Sequence, residues 1–125
     1  MKNIPVTIPY FDEKESALVK KVLESGWVAQ GPVVAEFEKA IAAHEGLAHG
    51  VATTSCTTAL HLAMVAEGMG AGMDVIVPAF TFVATANAVV QTGAVPVFVD
   101  IRQETYNVDA KKVRELIQNN SEIQG

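Results

Sequence analysis

An α/β fold, with a mostly parallel sheet and covering helices, follows from three features of this sequence. From residue 49 onward, short apolar strand candidates at 50–54, 74–77 and 95–99 alternate with segments of helical length. Their starts lie about 20 to 25 residues apart, which leaves room for a crossover helix in each gap and sets neighbouring strands parallel. Val75-Ile76-Val77 and Val97-Phe98-Val99 are apolar on consecutive residues instead of alternately, so both faces of these strands should lie under a covering layer.

The chain opens with an extended, proline-punctuated stretch from Ile4 to Tyr10. Between Asp12 and Ser25, the residues Leu18, Val19, Val22 and Leu23 fall on one side of a helix, and Lys14, Lys20, Lys21 and Glu24 on the other. That is the pattern of an amphipathic helix. Gly26 and the Gly31-Pro32 pair interrupt the period and leave 26–31 as a loop with Trp27 inside it. A second helix starts at Pro32, since proline suits a first turn whose N–H has no helical partner; it carries Val34, Phe37, Ile41 and His44 at helical spacing.

Residues 50–54 read as a strand and 57–67 as a helix, apolar nearly all round from Leu60 to Met69. Gly68-Met69-Gly70-Ala71-Gly72 reads as the cap and turn that end that helix. The run precedes a strand where a dinucleotide fingerprint follows one, so it is not such a fingerprint. A strand at 74–77, a helix over 82–92 and a strand at 95–99 come next. Asp109 is placed to cap a last helix that uses Val113, Leu116 and Ile117.

Three segments emerge. Residues 1–48 form an N-terminal extended segment and two helices that pack on a larger domain; 49–117 form a βαβαβα part of that domain; 118–125 form an irregular tail without periodicity, where the architecture stops. Three strands with an open edge make a poor free-standing domain, because the edge offers unpaired backbone groups and the apolar faces lack a full cover. On its own the chain is expected to be marginal or self-associating.

Half of the 125 residues are hydrophobic, and nine basic against fourteen acidic side chains give a formal net charge of −5. Arginine occurs only at Arg102 and Arg114, which supplies no electrostatic footprint for nucleic acid. No apolar run approaches the roughly 20 residues that span a bilayer. Met1-Lys2-Asn3-Ile4-Pro5 lacks the apolar core of a secretory signal, so neither a membrane nor export is expected and the cytoplasm is the expected compartment. The lone Cys56 cannot form an intramolecular disulfide. His44, His49 and His61 have no metal-ligand spacing, so no metal site is expected; His61 reads as a core histidine.

The stretch most suggestive of chemistry is Thr54-Ser55-Cys56-Thr57-Thr58, a turn rich in small hydroxyls that runs into an apolar helix. The first amides of a helix lack partners and the helix dipole is positive there, so hydroxyls at that point can complete a phosphate cradle. An ordinary helix cap uses the same residues, and the turn by itself leaves both readings open. Cys56 is not read as a nucleophile, because no matched base is evident. Phe82 follows a strand at the mouth where ligands of open α/β sheets bind. Phe80 and Phe98 read as core, Asn87 as satisfying nearby backbone, and Asp100 as a turn residue at a strand end.

Four ordered motifs run through the chain: Ser25-Gly26-Trp27-Val28-Ala29-Gln30-Gly31-Pro32, then Thr54 to Ala63, then Val77 to Ala88 (VPAFTFVATANA), then Pro96-Val97-Phe98-Val99-Asp100. Together they make the chain resemble, over residues 4 to 117, the DegT/DnrJ/EryC1/StrS family of sugar aminotransferases. The resemblance implies the N-terminal part of a fold type I, pyridoxal-phosphate-dependent transferase large domain, in an enzyme that is usually a homodimer. It also implies transfer of an amino group from an amino acid such as glutamate to a nucleotide-linked keto sugar.

By the same resemblance, the backbone amides of Ser55, Cys56 and Thr57 and the Thr57 hydroxyl hold the cofactor phosphate. Cys56 stands where the family often has Gly or Ala, a departure that a backbone contact tolerates. Phe82 stacks on the pyridine ring. Trp27 and Gln30 lie near the sugar-nucleotide pocket, although Trp27 can equally be a plug between two helices. The Schiff-base lysine and the acidic partner of the pyridinium nitrogen are matched by none of Lys2, Lys14, Lys20, Lys21, Lys39, Lys111 or Lys112. The resemblance puts those two groups beyond Gly125, making this an N-terminal portion that is inactive alone. A pyridoxal-phosphate-dependent sugar dehydratase of the same family, or a non-enzymatic phosphate- or nucleotide-binding α/β module, are the other readings.

Overall fold

Local start and stop signals bound several of the described helices. A computed structural model describes residues 3–119, in two compact units divided along the chain between Ala52 and Thr53. In the first unit, helix α1 (Glu13–Ser25) begins at a capping box in which the Asp12 side chain accepts the Lys14 amide at 2.7 Å and the Glu15 carboxylate accepts the Asp12 amide at 2.7 Å. It ends at Gly26, whose φ of 71° is the left-handed value that only glycine adopts without cost. Helix α2 (Pro32–Glu45) opens with Pro32 in its first turn and closes at Gly46, where the Leu47 amide donates to the Ala42 carbonyl at 2.8 Å.

After α2 the chain returns alongside that helix. The Ala52 amide donates to the Glu38 carboxylate at 2.8 Å, and a side chain on Gly50 would meet the Glu38 carbonyl oxygen at 2.7 Å. Gly50 is therefore required by space. The apolar side of α1 is present as expected, but no residue of that helix is buried: Leu18, Val19 and Leu23 are all exposed.

In the second unit, α3 (Cys56–Ala66) is followed by β1 (Asp74–Pro78), α4 (Ala84–Thr92), β2 (Val95–Val99) and α5 (Ala110–Asn119). The strands pair in parallel, with Asp74 opposite Val95 and Pro78 opposite Val99, and the Ala79 amide continues the ladder onto the Val99 carbonyl at 2.7 Å. Helix α4 is their crossover and packs on both strands, α3 packs along α4, and α5 packs on β2. Val77, Val89 and Ala94 form the core, with Met64 of α3 and Val75 against them. The Gly68 and Gly72 backbones take positive φ in the turn that ends α3, as the glycine run predicted.

Several expectations fail, each for a physical reason. Residues 50–54 form no strand, because a strand exists only through its ladder partner and the described residues offer this segment none. The sheet is not covered on both faces: Val95 and Phe98 are each more than half exposed, and no residue of α3 is buried. Phe80 and Phe98, read as core, are 68% and 56% exposed; apolar character marks a side chain for burial, but burial needs a covering layer. Asn87 is exposed, so it has no burial to compensate. His61 is half-buried where a core position was expected. Helix α4 starts at Ala84, two residues late, after Val83 as its cap. Helix α5 continues through Asn119, so Gln118 and Asn119 belong to it, while the rest of the expected tail and Lys2 lie outside the described residues.

Candidate functional site

The residues singled out in the second unit stand at three places along the chain: at the start of α3, between β1 and α4, and just after β2. Ser55 is the N-cap of α3 in extended conformation, and its hydroxyl oxygen accepts the Thr58 amide at 3.1 Å. The same hydroxyl meets Thr58 Oγ1 at 2.9 Å, and Thr58 Oγ1 in turn lies 3.2 Å from Thr54 Oγ1. Thr53 Oγ1 donates to the Ser55 carbonyl at 3.0 Å. Three hydroxyls thus form one hydrogen-bonded cluster across the helix start. Thr58 was not singled out by sequence, although its place three residues after a serine cap is the signal that finds it.

The first turn keeps donors in reserve. The Ala59 amide returns to the Ser55 carbonyl at 3.0 Å, whereas the amides of Cys56 and Thr57 meet no acceptor among the described residues. No acidic residue lies in that turn. Two free amides, a hydroxyl cluster and the positive helix end suit a phosphate and disfavour a cation. Cys56 is exposed with a free thiol, and Thr57 is half-buried.

Phe82 lies beyond the end of β1, two residues before α4, with 77% of its surface exposed. Its neighbour Phe80 packs against Tyr106, ring centroids 5.7 Å apart and planes at 40°. Tyr106 takes a positive φ of 59°, uncommon for a residue with a side chain, within a loop closed by its amide on the Arg102 carbonyl at 2.8 Å. Among the described residues the Phe82 ring has no aromatic partner, so a flat face is available beside the phosphate-type turn's neighbouring helix.

At the end of β2, Asp100 accepts the Ile101 amide at 2.9 Å and the Lys112 ammonium at 2.5 Å. The Lys112 hydrogen bond, then that amide, hold the Asp100 carboxyl below its usual range, and the carboxylate raises the Lys112 ammonium in return. The recess beside them, lined by Phe98, Asp100, Lys112 and Leu116, contains neither the turn residues nor Phe82. Trp27 and Gln30 belong to the first unit, where the indole N–H donates to the Gln30 carbonyl at 3.0 Å.

The model of the DegT/DnrJ/EryC1/StrS aminotransferase family matches residues 9–123. The chain belongs to that family. It is 46% identical over 110 residues to the spore coat polysaccharide biosynthesis protein SpsC of Bacillus subtilis, covering 88% of this chain and 28% of SpsC. It is 43% identical to the GDP-perosamine synthase of Caulobacter vibrioides, covering 94% of this chain and 32% of the synthase. Among solved structures, Spr1654 of Streptococcus pneumoniae in its PLP form superposes with a TM-score of 0.83 at 34% identity, over 91% of this chain and 29% of that one. The chain therefore spans about a third or less of the length of these relatives. Its α/β architecture with a parallel strand pair is that of the aminotransferases it superposes on.

The turn and Phe82 fit two parts of pyridoxal phosphate, the phosphate and the ring. They do not supply the amine that the aldehyde requires. Lys20 lies 3.7 Å from Glu24, Lys111 3.8 Å from Glu115, and Lys112 is bound to Asp100; Lys14 and Lys39 sit on exposed surfaces of α1 and α2. Among the described residues no helix is long and apolar enough to cross a membrane, and no group of His, Cys, Asp or Glu has the arrangement of a metal site.

Proposed function

We propose that the whole protein is a pyridoxal-phosphate-dependent aminotransferase that moves an amino group from an amino acid, glutamate, to a nucleotide-linked keto sugar. We place it in the cytoplasm as a homodimer. The observation that carries this reading is the start of α3, where free amides at Cys56 and Thr57 stand beside the Thr54–Ser55–Thr58 hydroxyl cluster in a chain of this family.

The cofactor supplies an electron sink for the carbon that carries the amino group. This chain's residues supply its seat. The Cys56 and Thr57 amides and the Thr57 hydroxyl donate to the phosphate, with Ser55 holding the turn in shape. Phe82 stacks on the ring and fixes its plane, a contact worth on the order of 0.5 to 1.5 kcal/mol beyond burial. Trp27 and Gln30 contact the nucleotide-linked substrate. The lysine and the acidic partner of the ring nitrogen belong to sequence of the whole protein that this chain does not match.

The test is a two-step assay on the whole protein. Glutamate with the loaded enzyme is expected to yield 2-oxoglutarate, and a nucleotide-linked keto sugar added afterwards is expected to gain an amine by mass. Loss of water from the sugar without gain of nitrogen would establish the dehydratase instead, and absence of both conversions would leave only the binding role.

A further inference from the structure

A side chain added at Gly31 has nowhere to go. Its Cβ would lie within 2.9 Å of Nε1, Cδ1 and Cε2 of the Trp27 indole. The backbone does not call for glycine there: φ is −172° and ψ is −151°, extended values open to any residue. The volume is what calls for it, and the indole fills that volume.

The ring is held at other points as well. Its Nε1–H donates to the Gln30 carbonyl at 3.0 Å. The Trp27 amide donates to Ser25 Oγ at 3.1 Å, and that hydroxyl donates to the Val22 carbonyl at 2.7 Å. The indole is thereby fixed between the end of α1 and the start of α2. A plug between two helices would be covered, yet Trp27 is 59% exposed. With its N–H already engaged, the ring has only its apolar π surface to offer a partner.

We propose that Gly31 is a positioning residue: its missing side chain seats the Trp27 indole as a stacking platform for the base of a nucleoside diphosphate sugar. The proposal rests on the reading of Trp27 as a substrate contact. Every nucleobase has a π face, so a stacking platform accepts purines and pyrimidines alike and leaves discrimination among sugars to other residues.

The test uses the whole protein with Trp27 kept as its sole tryptophan and any other tryptophan replaced by phenylalanine, so near-ultraviolet circular dichroism and fluorescence report this ring alone. Gly31→Ala is expected to abolish the indole dichroism while the far-ultraviolet spectrum stays the same; a retained indole band overturns the positioning role. A thermal comparison guards against simple misfolding. Gly31→Ala is expected to lower the melting midpoint in the native background and to cost nothing once Trp27→Ala has removed the ring; an equal cost in both backgrounds overturns the direct contact. Titration with UDP and with GDP is expected to quench Trp27 emission saturably, with the dissociation constant raised about tenfold by Gly31→Ala, the size of one lost stacking contact. Loss of the indole band on Gly31→Ala without quenching of the native chain by either nucleotide overturns the substrate reading of Trp27 and leaves the clasp standing.

Discussion

Ser55 and Thr58 close the first turn of α3 on each other: the serine hydroxyl oxygen accepts the Thr58 amide at 3.1 Å, and the two hydroxyls meet at 2.9 Å. One hydroxyl pair therefore satisfies the third amide of the helix and leaves the first two pointing at whatever occupies the turn. The cap is formed, and the same arrangement leaves unbonded the two amides that the proposed cradle would use.

Removing the cap separates them. Ser55→Ala is expected to destabilise the fold by about 1 kcal/mol, the usual cost of an N-cap hydroxyl, read from urea unfolding. Ser55→Asn, which keeps a side-chain acceptor for the Thr58 amide, is expected to restore most of it. An alanine variant as stable as the native chain would mean that the Thr58 bond contributes nothing.

Phe82→Leu tests the ring contact. The exposed phenyl group packs on nothing aromatic in the fold, so the substitution is expected to leave stability within about 0.5 kcal/mol. Cofactor affinity should fall by about 1 kcal/mol, measured by equilibrium dialysis of pyridoxal phosphate against the whole protein. A large loss of stability would assign Phe82 to the fold instead.

The Asp100–Lys112 pair gives a pH signature. The Lys112 hydrogen bond comes first among the causes that hold the Asp100 carboxyl below 3.8, and bonding to Asp100 raises Lys112 above 10.5. A depressed carboxyl contributes stability that is present above its ordinary value and is lost as pH falls from 3.8 through the folded value. A raised ammonium contributes stability that is present below 10.5 and is lost as pH climbs through its folded value. Both groups are solvent-exposed, so salt screens the pair. In an NMR titration, Lys112→Met is expected to move the Asp100 midpoint up toward 3.8; an unmoved midpoint would place the cause elsewhere.

The expectation of self-association has exposed apolar side chains behind it in each unit. Leu18, Val19 and Leu23 of α1 are exposed in the first, and Phe80 and the β2 residues Val95 and Phe98 in the second; such apolar area favours association. Sedimentation velocity of the isolated chain is expected to show oligomers that grow with concentration. A monomer across the range, unfolding cooperatively, would contradict it.

What the sequence made legible was local. Gly26, Gly31-Pro32 and Asp109 each bound a helix by chemistry within four residues, and four of the five described helices start within a residue of the pattern that predicts them. The β1–α4–β2 unit was readable because two β-branched runs and one helix satisfy one another. Residues 50–54 were not readable, because strand formation depends on a partner that the segment itself does not encode. Phe80 and Phe98 failed for the same reason on the side-chain level. Ser55, Cys56, Thr57 and Phe82 are assigned to the candidate site by motif. The hydrogen bonds that join the Thr58 hydroxyl to Ser55 and Thr54, and the space that Gly31 leaves for Trp27, needed three dimensions.

The central claim is that the start of α3 holds the cofactor phosphate, and the most direct test is pyridoxal phosphate affinity of the whole protein with Thr57→Ala. If the Thr57 hydroxyl donates to a charged phosphate, its loss is expected to weaken binding by about 1 to 3 kcal/mol, with unfolding stability little changed. An unaltered dissociation constant would contradict the account and remove Thr57 from the site.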